Sequence, residues 1–184
     1  MKIKSNAAPQ ELNSLFFVAN EKFCHDFERF IASKNGMVKG NYNAWSYTVL
    51  GKIESKRNWN LKYKKAIYSS TGSLFSVFYK NEVLLDLAEW TCVKLHDKDI
   101  SIFIRKRRFL DNLSIRFSRL KHDKNYVIKT NKNSSKFFSK IIQILNPLFE
   151  EGKIYTIRLK NDKLTIQLRS NEHHFDIFDA LLSL

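Results

Sequence analysis

Seven apolar residues near the start constrain this chain most. Leu12, Leu15, Phe16, Phe23, Phe27, Phe30 and Ile31 recur at spacings of three and four, which puts them on one helical face. Such a face has to be buried, and side chains this bulky need a sheet to cover. Pro9 suits a first helical turn and Asn35-Gly36 supplies a stop. The pattern therefore predicts an amphipathic helix over residues 10–34, with residues 1–8 ahead of it as a loose, disordered arm.

The sheet is expected from residues 45–106, where the apolar period changes from helical to alternating. Trp45, Tyr47 and Val49 alternate with Ser46, Thr48 and Leu50. Trp59, Leu61 and Tyr63 alternate with Asn60, Lys62 and Lys64, giving a one-sided strand with a basic outer face. Residues 74–79 read as a buried strand, entered by the hydroxyl-rich turn 69–73. Residues 83–90 fit a short helix through Val83, Leu84, Leu87 and Trp90, or a strand through Val83, Leu85 and Leu87. Residues 91–95 and 100–105 are expected to pair as a hairpin around 96–99. Residues 107–121 again fit either a basic amphipathic helix (Leu110, Leu113, Phe117, Leu120) or a strand (Leu113, Ile115, Phe117).

In the last third, Tyr126-Val127-Ile128 reads as a short strand. Asn133-Ser134-Ser135 can cap a helix over 134–150, with Phe137, Phe138, Ile141, Ile142, Leu145 and Phe149 inward. Pro147 is expected to kink or shorten it, and Gly152 to close it. Asn161-Asp162 separates two alternating runs, an antiparallel hairpin over 153–169. Phe175, Ile177, Phe178, Leu181 and Leu182 close the chain. The fold class is α+β, a single domain in which a mainly antiparallel sheet is packed by the N-terminal helix and the 134–150 helix.

The order of these last elements is similar to the end of an uncharacterised bacterial domain family. The matching stretch runs from about Tyr126 to Asp176, through "YVIKTN", "FFSKIIQIL", "IYTIRLKNDKLTIQLRS" and "FDIF". Members of that family often carry membrane helices upstream, whereas this sequence has no run of 18 apolar residues. The resemblance implies no known activity and no site residues.

Charge gives the main functional lead. The chain of 184 residues has 32 Lys and Arg against 18 Asp and Glu, a formal +14. A field of that sign attracts nucleic acid, acidic lipid surfaces or acidic proteins. Residues 101–130 hold nine basic side chains against Asp111 and Asp123. Residues 51–65 hold six against Glu54, while the first helix and the C-terminal tail are slightly acidic. Leu15-Phe16-Phe17-Val18 is too short for the apolar core of a secretory signal, so a cytoplasmic protein is expected, with Cys24 and Cys92 as buried free thiols.

Motifs for catalysis are missing from the sequence. There is no HExxH, CxxC, GxGxxG or GxSxG. Cys24 and His25 are neighbours, but adjacent helical residues point about 100 degrees apart. His173-His174 with Asp176 reads as a polar turn before a terminal helix, and Asp97 with Asp99 as a loop pair. Neither a metal nor another cofactor is expected.

What remains is a basic stretch, and it is where binding is expected. Arg105, Lys106, Arg107, Arg108, Arg116 and Arg119 are the candidate contacts to an anionic partner. An acidic membrane surface would take Phe109, Leu110, Leu113 and Phe117 into the interface with the arginines at the headgroups. An acidic protein ranks with it; nucleic acid, bound through phosphates, ranks below. The function expected is a non-enzymatic accessory or binding domain. The alternative is an enzyme with a dispersed site, which a deep pocket converging on His96, Asp97 and the 69–73 turn would favour.

Overall fold

The computed structural model describes residues 3–74, 77–93, 100–113, 117–120, 123–131 and 136–184. Among these residues the chain forms ten strands and four α-helices, and the sheet is mixed, which is the α+β class. The chain divides into two compact units, Met1–Ile53 with Leu61–Ala88, and Glu54–Asn60 with Glu89–Leu184.

In the first unit, β1 (Ile3–Ser5) runs parallel to β2 (Met37–Tyr42), with Ile3 opposite Gly40. The segment expected as a loose arm is thus an edge strand at residues 3–5. It stays because β2 supplies a ladder and Ile3 is buried. β2 pairs antiparallel with β3 (Tyr47–Glu54), and the order continues to β4 (Asn58–Leu74) and β5 (Val77–Val93). Helix α1 (Leu15–Ser33) starts later than its periodicity suggests. A separate 3₁₀ turn holds Pro9–Glu11, and Ser14 Oγ accepts from the Phe16 N–H as the true cap.

The buried face is also rotated from the expected one. Phe17, Asn20, Cys24, Phe27 and Ile31 point inward, whereas Leu15 and Phe16 are 85% and 60% exposed. Gly51 of β3 explains how closely α1 sits. A Cβ there would lie 2.5 Å from Ile31 Cδ1 and 2.8 Å from Phe27 Cζ. Phe23 stacks on Tyr47 at 4.5 Å, and Phe27 meets Tyr63 edge-on at 5.3 Å. Asn20 is buried because it is fully bonded. Its Nδ2 donates to the Asn43 and Ala44 carbonyls, and its Oδ1 accepts from Lys65 Nζ. Asn43 in turn accepts from the Trp45 and Ser46 N–H groups. Trp45 therefore sits in a turn, exposed, and not in the strand expected there.

One expectation for this region is corrected: residues 69–73 are not a turn but lie inside β4. Of the two forms weighed for residues 83–90, the strand is the one that forms, inside β5. Each of these strands is 17 residues long. The expected 74–79 strand spans the end of β4 and the start of β5, and residues 75–76 lie outside the described residues.

In the second unit the order is β5-β10-β9-β6-β8-β7, with β6 (Ile102–Lys106), β7 (Ser118–Arg119), β8 (Tyr126–Thr130), β9 (Ile154–Lys160) and β10 (Lys163–Arg169). The expected 91–105 hairpin is absent, since β5 lies beside β10 while β6 lies between β9 and β8. The hairpin over 153–169 forms, with Lys160 opposite Lys163 and positive φ at Asn161 and Asp162. An extra residue bulges on β9 near Gln167–Leu168. It turns Tyr155 outward and Ile154 inward, reversing the alternation expected at that end.

The helix expected over 134–150 is two helices, α2 (Lys136–Ile144) and α3 (Asn146–Glu150). Pro147 sits in the first turn of α3, where its missing N–H costs nothing. The proposed cap at 133–135 lies outside the described residues. Gly152, at φ +67, ends α3. Phe138, Ile141, Ile142, Leu145, Leu148 and Phe149 are buried. Helix α4 (Phe175–Leu182) places Phe178 against Trp59 and Trp90, at 5.2 and 5.4 Å. Within residues 107–121, Phe109–Leu113 is a 3₁₀ turn and not part of an amphipathic α-helix, and Ser118–Arg119 is a two-residue strand. Residues 114–116, on which the rival 113–117 strand rests, lie outside the described residues, as does 121.

Candidate anion-binding surface

Strand β6 sorts its side chains by alternation. Ile102 and Ile104 are buried, so Phe103 and Arg105 take the opposite face. Beyond the strand, the Arg107 N–H donates to the Asn125 carbonyl at 2.7 Å, and the chain enters the 3₁₀ turn.

Asp111 organises that turn. Its carboxylate accepts from the Arg108 N–H at 2.6 Å and from both ends of the Arg105 guanidinium at 2.7 and 2.6 Å. These donors hold the Asp111 carboxyl at about 2, well below the usual carboxylate range. The pair also raises Arg105 from its ordinary value. Arg105 lies over the Phe117 ring at 4.5 Å, and its Nη1 also donates to the Lys106 carbonyl. Of the six candidate contacts, Arg105 is thus committed to holding the turn and is not presented to a partner.

The other candidates divide. Lys106, Arg107, Arg108 and Arg119 are exposed, and none is ion-paired among the described residues. Arg116 lies outside the described residues. Val127 is opposite both Arg105 and Arg119, so Arg119 shares the Arg105 face of the sheet. At the head of the turn, Phe109 is 87% exposed and Leu110 69%. Two large apolar side chains therefore stand in water beside three unpaired cations, held by a carboxylate tie behind them. Phe117 does not join them. It is half-buried against Arg105 and Phe103.

Trp59 and Tyr63 of the 51–65 patch are buried and offer no stacking surface. Cys24 and Cys92 are buried, and burial pushes each thiol up to about 12. His173 stacks on Phe175, and His174 Nε2 lies 2.7 Å from Ser170 Oγ. Among the described residues no three His, Cys, Asp or Glu side chains gather as a metal site. His96, Asp97 and Asp99 lie outside the described residues. No described helix is long and apolar enough to cross a membrane.

Sequence reasoning missed a second basic group on the same unit, formed by Lys129, Arg158 and Lys160 around Phe103. The signal was the alternation of Ile102, Phe103, Ile104 and Arg105, which shows that Phe103 leaves the core. Which cations flank it depends on pairing between distant strands. Comparison with family models, curated proteins and solved structures finds no match to this chain.

Proposed function

We propose that this chain is a binding module for an acidic lipid surface, engaged through the turn at 106–110. The observation that carries the reading is the exposure of Phe109 and Leu110 directly after Lys106, Arg107 and Arg108. Apolar side chains of this size enter the acyl boundary of a leaflet, while adjacent cations meet its headgroups. Each basic residue close to an acidic leaflet contributes about 1 kcal/mol, so neither half needs to suffice alone. The tie between Arg105 and Asp111 keeps the turn preformed, which lowers the ordering cost of binding. The exposed Arg119 adds positive charge on the adjoining sheet face.

The test is co-sedimentation of the full chain with phosphatidylcholine vesicles, with and without phosphatidylserine, across a salt series. Binding to the acidic vesicles that weakens with salt and is lost in a Phe109→Ser, Leu110→Ser variant supports the reading. Equal binding by that variant overturns the apolar role. Binding to oligonucleotides or acidic proteins with none to vesicles moves the partner to those classes.

A further inference from the structure

We infer that the cleft over β6, β8 and β9 is a binding site for a phosphomonoester group. This site is separate from the 106–110 turn and stands whether or not that turn meets lipid. The cleft has a volume of about 500 Å³, and its charged lining among the described residues is Lys129, Arg158 and Lys160. The register explains why they meet. Phe103 is opposite Lys129 on one side and Arg158 on the other, so all three project from one sheet face. Lys160, two residues along β9, shares that face.

None of the three is ion-paired among the described residues. Arg105, by contrast, is neutralised by Asp111. The three exposed cations leave the cleft positively charged and open to an anion. The walls are firm. Arg158 lies over Phe103 at 5.2 Å, Phe103 and Phe117 are 6.5 Å apart, and Arg105 covers Phe117. Ser101 and Asn131 add polar groups at one end.

The charge of the site selects among anions. A carboxylate or a phosphodiester brings one negative charge. A phosphomonoester brings about −1.5 to −2 at pH 7 and three acceptor oxygens, a better match to three cations. Its second ionisation lies near pH 6, so binding has to strengthen as pH rises through that value. The same group occurs on a phosphorylated lipid headgroup and on a free phosphorylated metabolite.

The experiment titrates the full chain at low salt with methyl phosphate and with dimethyl phosphate, following amide resonances. We expect saturable shifts at Phe103, Lys129 and Arg158 with methyl phosphate, and binding about tenfold weaker with the diester. Binding should weaken from pH 7 to pH 5. Arg158→Gln and Lys129→Gln should each lose affinity, with the rest of the spectrum unchanged as the check on folding. Equal affinity for the diester, no saturable shift, or full binding in both variants would overturn the site. Vesicles then separate the sources. A preference for phosphatidylinositol 4-phosphate over phosphatidylserine at matched charge, lost in Arg158→Gln, assigns the group to a headgroup. Methyl phosphate binding without that preference assigns it to a free metabolite.

Discussion

Arg105 holds Asp111 by both ends of its guanidinium, at 2.7 and 2.6 Å, and this one pair fixes the turn that presents Phe109 and Leu110. Side chains from a strand end and a 3₁₀ turn six residues later are locked, with Arg105 15% and Asp111 7% exposed. The pH dependence follows from the lowered Asp111 carboxyl. The folded chain keeps it ionised down to about 2, while the unfolded chain protonates it near the ordinary 3.8. Its contribution is complete above the unfolded value and is lost as pH falls through the folded one. Thermal melts of the wild type and Asp111→Asn should therefore differ by a constant amount above about pH 5 and draw together as pH falls to about 2. A gap that does not change with pH over that range would mean the carboxyl is not held low.

The rotated face of α1 predicts a contrast between neighbouring phenylalanines. Phe27 is fully buried against Tyr63 and β3, so Phe27→Ala should cost about 3–5 kcal/mol in urea unfolding. Phe16 stands 60% exposed against Trp45, so Phe16→Ala should cost less than about 1 kcal/mol. Equal costs would place the helix in the register its periodicity alone suggests.

Both thiols should be silent in the folded chain. With Cys24 and Cys92 fully buried and raised to about 12, the reactive thiolate is nearly absent at pH 8. A disulfide dye should react with neither until denaturant is added, then with both. Rapid reaction of one thiol without denaturant would show that its surroundings open.

His174 makes the C-terminal element sensitive to mild acid. Its side chain is 8% exposed, and burial lowers its pKa from 6.5 despite the attraction of Glu172 and Glu151. Near neutral pH the ring is therefore uncharged, and its 3.8 Å approach to Glu172 is not an ion pair. The unfolded chain takes up the proton first, so this contribution is present above pH 6.5 and declines below it. Melting temperature should fall from pH 7 to pH 5. Asn tolerates the left-handed backbone at this position, so His174→Asn should flatten the slope without straining the turn. An unchanged slope would assign it to other groups.

Local signals carried the parts of the fold that depend on neighbours in sequence. Asn161-Asp162 marked the β9–β10 turn because both residues tolerate positive φ between alternating runs. Pro147 marked the break between α2 and α3. Non-local pairing was not legible. The partner of β5 is β10, some 70 residues later, and nothing near residue 96 distinguishes that from a hairpin with β6. Nor does hydropathy reveal that Asn20 is buried, since its burial rests on carbonyls at 43 and 44. At the surface, Arg107 and Arg108 were legible as exposed cations. The commitment of Arg105 to Asp111, and the gathering of Lys129 and Arg158 around Phe103, were not.

On the proposed function, the head of the 109–113 turn enters a lipid surface. The direct measurement places an environment-sensitive dye there. Leu110→Cys is labelled selectively because Cys24 and Cys92 are buried. A blue shift and enhanced emission are expected on phosphatidylserine vesicles, with no change on phosphatidylcholine alone. A dye that stays in water while the protein is bound to the acidic vesicles would contradict it.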